Sequence, residues 1–152
     1  MDRTLKLTNV LCYEAQFEMD ELQFDIQIQK MQAYIGNEGA TQVGPLIQYI
    51  SPKLNDQGQA EIQVVFMIQC SREIHSVEKP YIMKNIIRVP DCVYCRYTGQ
   101  EENLKFAYDK INLCAFEKDI RLKGDSYTAF VDNTEDIVIA DVFMEKVDDE
   151  TN

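Results

Sequence analysis

The stretch from Pro90 to Gly124, PDCVYCRYTGQEENLKFAYDKINLCAFEKDIRLKG, constrains the fold more than any other. Cys92 to Tyr97 is dense in β-branched and aromatic residues and predicts a strand. Thr98-Gly99-Gln100-Glu101 sets a threonine three residues before a glutamate, the pattern of a capping box. Leu104, Ala107, Tyr108, Ile111, Cys114 and Ala115 then recur at helical spacing. Such a one-sided apolar stripe must lie on a flat apolar surface, and a sheet supplies one. Lys118, Arg121 and Lys123 crowd the far end, and Gly124 reads as the helix stop.

The rest of the chain repeats this order. Leu5 to Ala15 predicts a strand with a bulge near Thr8-Asn9. Asp20 to Ile35 fits both a strand alternation and a helical face. Its length and the closing Gly36, Asn37 and Gly39 decide for helix. Leu46 to Ile50 and Ala60 to Cys70 predict strands, the latter covered on both faces. Tyr81 to Val89 and Cys92 to Tyr97 read as strand material broken at Pro90. After the helix come strands at Ser126 to Val131 and Asp136 to Val147, with a turn at Asp132 to Glu135 between them. The sequence therefore predicts an α+β fold: a duplicated βαββ unit with pseudo-twofold symmetry, antiparallel sheets, two helices and a central groove. One domain covers residues 1–152, with halves at about 1–79 and 80–147 and an acidic tail at 148–152. Val65-Phe66-Met67 and Val142-Phe143-Met144 close the two halves in matching places.

A net charge of −11 with scattered Lys and Arg argues against nucleic-acid and anionic-membrane partners. It permits a cationic ligand or a basic protein face. The five cysteines are odd in number and sit in apolar runs, which with the absence of a secretory segment points to reduced thiols in a cytoplasm. Cys92 and Cys95 alternate faces of one strand, so their C-x-x-C spacing reads as structural. His75 lies in a polar connector without a nucleophile or acid signalled beside it. No metal set, cofactor motif or catalytic residue is expected, and no run is long enough to span a membrane.

The order Val89-Pro90, Tyr97-Thr98-Gly99, Ala107-Tyr108 with Ile111, Gly124, Tyr127 and Val142-Phe143-Met144 resembles the GyrI-like small-molecule-binding domain, the effector-binding module of multidrug-responsive regulators. Gly44-Pro45-Leu46-Ile47 followed by Ala60 to Met67 fits the same frame. The resemblance implies a cavity between the halves and an acidic residue on the last strand that receives cationic aromatic ligands. Asp141 matches that position, with Val64 as its first-half counterpart. Tyr97, Tyr108, Tyr127 and Phe143 become candidate walls. Cys114 stands where many members have a cavity tryptophan, and Glu145 where they have a proline. The missing tryptophan puts flat-drug stacking and the hydrolytic activity of some members in doubt. No DNA-binding helix-turn-helix is expected ahead of the domain. Three functions follow: a stand-alone small-molecule binder, an acidic module binding a protein partner, and, weakest, a hydrolase. Oligomeric state is left open.

Overall fold

A computed structural model describes residues 2–15, 20–134 and 136–147. The chain runs β1 (Asp2–Glu14), α1 (Glu21–Asn37), β2 (Leu46–Leu54), β3 (Ala60–Gln69), β4 (Tyr81–Gln100), a 3₁₀ turn (Glu101–Asn103), α2 (Lys105–Glu117), β5 (Ser126–Thr134) and β6 (Ile137–Glu145). All strand pairs are antiparallel. They close a barrel in the order β1-β3-β2-β5-β6-β4. This is the α+β architecture of two βαββ halves that the pattern predicts. The acidic tail 148–152 and Glu135 of the expected turn lie outside the described residues.

The halves share their backbone devices. Asn9 and Asp91 both take a left-handed conformation, with φ of 50° and 53°. Their carbonyls accept from the Cys70 and Lys146 amides, at 2.8 and 3.1 Å. The bridges Gln42–Cys70 and Leu122–Lys146 follow in the same places. The pseudo-twofold axis passes where equivalent residues pair with each other, at Lys6 opposite Arg88 and Gln48 opposite Thr128.

One sheet face fills the barrel with Leu5, Leu7, Val10, Ile47, Met67 and Tyr127 among others. The opposite face carries the helices. Met31 and Ile35, one turn apart on α1, are 0% and 1% exposed and pack on Leu11, Phe66 and Ile68. Ala107 and Ile111 do the same for α2 on Val93, Val142 and Met144.

Three local expectations are corrected. Pro90 does not break β4: the β1–β4 register shifts opposite it, between Arg3 and Leu5, and a bulge absorbs the residue that cannot donate. Thr98 does not cap α2, because it is still paired to Ile139 inside the strand, and no side chain caps that helix. The real capping box is Asp20 with Gln23, whose reciprocal bonds are 2.9 and 2.8 Å. Gly124 does not end α2 either. Lys118 is the C-cap and Asp119 turns left-handed with φ 55°, as Gly39 does after α1 with φ 77°.

Candidate functional site

The six residues singled out from the sequence divide between the two faces. Asp141, Phe143 and Tyr127 point to the barrel interior. Phe143 lies opposite Tyr127 on one side and Tyr94 on the other. Tyr97, Tyr108 and Cys114 belong to the helix face, around the α2 cluster.

Asp141 is held within the molecule. Arg96 donates to it through two nitrogens, Nε to Oδ1 at 2.8 Å and Nη2 to Oδ2 at 2.9 Å, and the Tyr94 hydroxyl donates to Oδ1 at 2.7 Å. Its side chain is 14% exposed. The Arg96 hydrogen bonds hold its carboxyl below the ordinary Asp range, against the opposing effect of burial. Arg3 lies 4.2 Å over the Tyr94 ring, and Tyr94 stacks at 5.1 Å on Phe143. The barrel is plugged at this end.

The strand registers make Val65, not Val64, the first-half counterpart of Asp141. Val65 lies opposite Tyr49 and Glu14, as Asp141 lies opposite Ala129 and Arg96. The triplet match behind the sequence expectation was one residue out of register. At this end small side chains leave room: a cavity of about 370 Å³ is lined by Cys12, Tyr49, Val65, Met67, Lys84 and Tyr127, with others. Burial pushes the Cys12 thiol up to about 11, which leaves it a poor nucleophile. Tyr49 and Tyr127 stack at 4.6 Å, and the Tyr49 hydroxyl donates at 3.0 Å to Oδ2 of Asp125.

On the helix face, Tyr97 donates to the Gln100 carbonyl at 2.5 Å, and Tyr108 bonds the fully buried Thr128 hydroxyl. Burial raises the Tyr108 pKa. Thr128 and its strand partner Gln48 lie on the pseudo-twofold axis, and here the expected groove is found. It holds about 440 Å³ between α1 and the segment that leads into α2. Leu46, Phe66 and Phe130 floor it, Phe24 and Ile28 wall it, and Glu21, Asp25 and Glu101 edge it. Phe24 meets Phe66 edge-on at 5.2 Å. None of those three carboxylates is ion-paired among the described residues. A second recess of about 270 Å³ continues past Glu101 to Glu102 and Asp136.

The sequence candidates did not include Phe24, Phe130 or the acidic rim, and Phe66 stood there only in the repeat triplet. The available signal was the second periodicity of Asp20 to Ile35, in which Phe24 and Ile28 share a helical face one turn from Glu21 and Asp25. Arg96 was missed as the partner of Asp141. A cation inside an otherwise apolar and aromatic strand was the clue, since such a charge needs a neighbour. Among the described residues no group of three or more His, Cys, Asp or Glu could hold a metal ion. No helix there is long and apolar enough to cross a membrane.

No protein-family profile matches the sequence, and no curated protein does. Solved structures do match in fold. EcmrR, in a cryo-EM structure of an EcmrR–DNA complex (EcmrR-RPo), is 14% identical with a TM-score of 0.67 over 97% of this chain. This chain spans 58% of the EcmrR chain. A hydrolase encoded by lin2189 from Listeria innocua is 10% identical, with a TM-score of 0.59 over 96% of this chain and 91% of that one. SAV2435 bound to tetraphenylphosphonium is 12% identical, with a TM-score of 0.47 over 100% and 97% of the two chains. The chain shares the fold of the matched part of EcmrR, in agreement with the resemblance read from the sequence. At these identities the likeness concerns the fold and not the chemistry of any site.

Proposed function

We propose that this domain binds a small apolar cation in the groove between α1 and the α2 arm. The observation that carries the reading is the union of three phenylalanines, Phe24, Phe66 and Phe130, with three carboxylates that no cation among the described residues meets. Aromatic faces attract cations and exclude water, and carboxylates at the rim steer them in. The groove has the size of a small-molecule site.

This reading differs from the one that the family resemblance suggested. There, Asp141 receives the ligand charge. Here Asp141 already has a bidentate partner in Arg96, so a ligand cation would have to displace it. Tyr127 and Phe143 sit with it on the interior face. Tyr108 keeps a supporting part, because its bond to Thr128 fixes the strand that carries Phe130.

Ethidium, a fluorescent aromatic cation, is a suitable probe. Its fluorescence should rise on binding, and Glu21→Gln, Asp25→Asn and Glu101→Gln together should weaken it about tenfold or more, with a steep salt dependence. Asp141→Asn should leave the affinity unchanged. Loss of binding in Asp141→Asn with full binding in the triple variant would return the site to the barrel interior.

A further inference from the structure

The two ends of the barrel hold the same positions with different side chains. Tyr94 pairs with Phe143 where Cys12 pairs with Met67, and Arg96 pairs with Asp141 where Glu14 pairs with Val65. The β1–β4 ladder adds a third match. Arg3 lies opposite Cys92, and Lys84 lies opposite Val10. Val10 and Cys92 are themselves equivalent, facing Gln69 and Glu145. In the second half these positions form one packed unit. The Tyr94 ring rests on Phe143, carries the Arg3 guanidinium 4.2 Å above it and gives its hydroxyl to Asp141.

In the first half the surroundings of that ring are kept, but Cys12 contributes no ring. Met67 stands for Phe143, and a thioether packs well against an aromatic edge. Lys84 stands for Arg3, and an ammonium is attracted to a ring face. Val65 stands for Asp141 and brings no charge. All four of these first-half residues line the cavity of about 370 Å³. Lys84 is near enough to the Cys12 thiol for its charge to oppose the rise that burial causes. The stacked Tyr49 and Tyr127 form a wall, and Ile82, 59% exposed, stands at the cavity as well. The space follows from side-chain size on strands that both halves possess, so it is a property of the barrel itself.

We propose that this end of the barrel binds a neutral aromatic molecule of one or two rings, its ring in the place that Tyr94 takes in the second half. An apolar cavity of about 150 Å³ takes up benzene, so this one has room for a fused pair of rings. A flat ring is favoured over an aliphatic chain because Lys84, Met67 and the two tyrosines each gain from a π face. A cation is disfavoured because Lys84 occupies the place above the ring and Val65 supplies no counter-charge. An anion is disfavoured because Glu14 also lines the cavity and the chain carries a net charge of −11. Gln63, on the same lining, can bond a ring hydroxyl or N–H. The site differs from the groove in place and in ligand class.

The test uses the chain as it stands, with indole as the probe and methyl NMR as the readout. Ring currents should move the Met67 methyl signal, assigned with Met67→Leu, and leave the amides of Phe24 and Phe130 unmoved. Cys12→Phe supplies the ring from the chain itself and should abolish the shift without lowering the unfolding temperature. Lys84→Met, an exposed change that leaves the core intact, should weaken indole about threefold. Benzyltrimethylammonium should bind this end about tenfold more weakly than indole. No shift of Met67 at millimolar indole, a shift retained in folded Cys12→Phe, or tighter binding of the ammonium overturns the proposal. If Cys12→Phe does not fold, Val65→Leu fills part of the same space, and unchanged indole affinity in that variant overturns it too. Because ethidium is read in the groove, failure of either site leaves the other standing.

Discussion

The two halves fold the same way and finish differently. The first half ends its core with borrowed material: Ile74, Val77, Tyr81 and Met83 close over α1 and β1. The second half has no such cover among the described residues, and its equivalent place is a cleft. At the barrel ends the contrast reverses. The first-half end keeps a cavity behind Cys12 and Val65, while Tyr94, Arg96 and Asp141 plug the other. A duplicated unit thus gives two copies of every location, and substitution at one copy closes what the other leaves open. The position that a sequence match makes most suspicious, Asp141, belongs to the closed copy.

The sharpest way to break this contrast is to truncate the same position in both halves. Leu11 and Val93 occupy equivalent places opposite Ile68 and Met144, and are 0% and 5% exposed. Leu11→Ala leaves a void sealed by the connector and should cost about 3 kcal/mol. Val93→Ala removes fewer atoms beside an opening that water already reaches, and should cost about 1 kcal/mol. Urea unfolding measures both. Equal costs would mean that the connector does not seal the first half.

A smaller effect probes the plug. Asp141→Asn should destabilise the fold by on the order of 1 kcal/mol, at the low end for charge-assisted bonds because Arg96 stands half in solvent. The sign with pH follows from the lowered carboxyl pKa. The stabilisation is present above the unfolded-state Asp pKa and is lost as pH falls through the lower folded-state value. Unfolding free energies of the parent and Asp141→Asn should therefore differ at neutral pH and converge in acid. A gap that persists in acid would mean that packing, rather than charge, holds this end of the barrel shut.

Element order and the two helices were legible because their evidence is local: period 2, period 3.6 and the turn residues between. The long-range pairings were not. Arg96 and Asp141 stand opposite each other only through the β4–β6 register, which fixes partners 45 residues apart. The repeat was visible but one residue out of step, because Val-Phe-Met triplets match by type while hydrogen bonds match by position. The groove was expected from the fold. Its lining was not, since Phe24, Phe66 and Phe130 come from three elements that meet only at the pseudo-twofold axis.

The caps give the smallest effects and the cleanest contrast, because they are local and solvent-exposed. Asp20→Ala removes a reciprocal pair of side-chain bonds at the start of α1 and should cost about 1 kcal/mol. Thr98→Ala touches a residue still inside β4 and should change stability by no more than about 0.5 kcal/mol. At the other end, Asp119 holds a left-handed conformation that glycine adopts without strain, so Asp119→Gly should gain a few tenths of a kcal/mol at about the level expected for such caps. Gly39→Asp should lose stability in turn, since its added Cβ would also press to 3.0 Å from Nη2 of Arg72. Thermal unfolding of the four variants ranks them directly. If Thr98→Ala proved as costly as Asp20→Ala, the threonine would be capping α2 in solution, and the two helix entries would be alike rather than different.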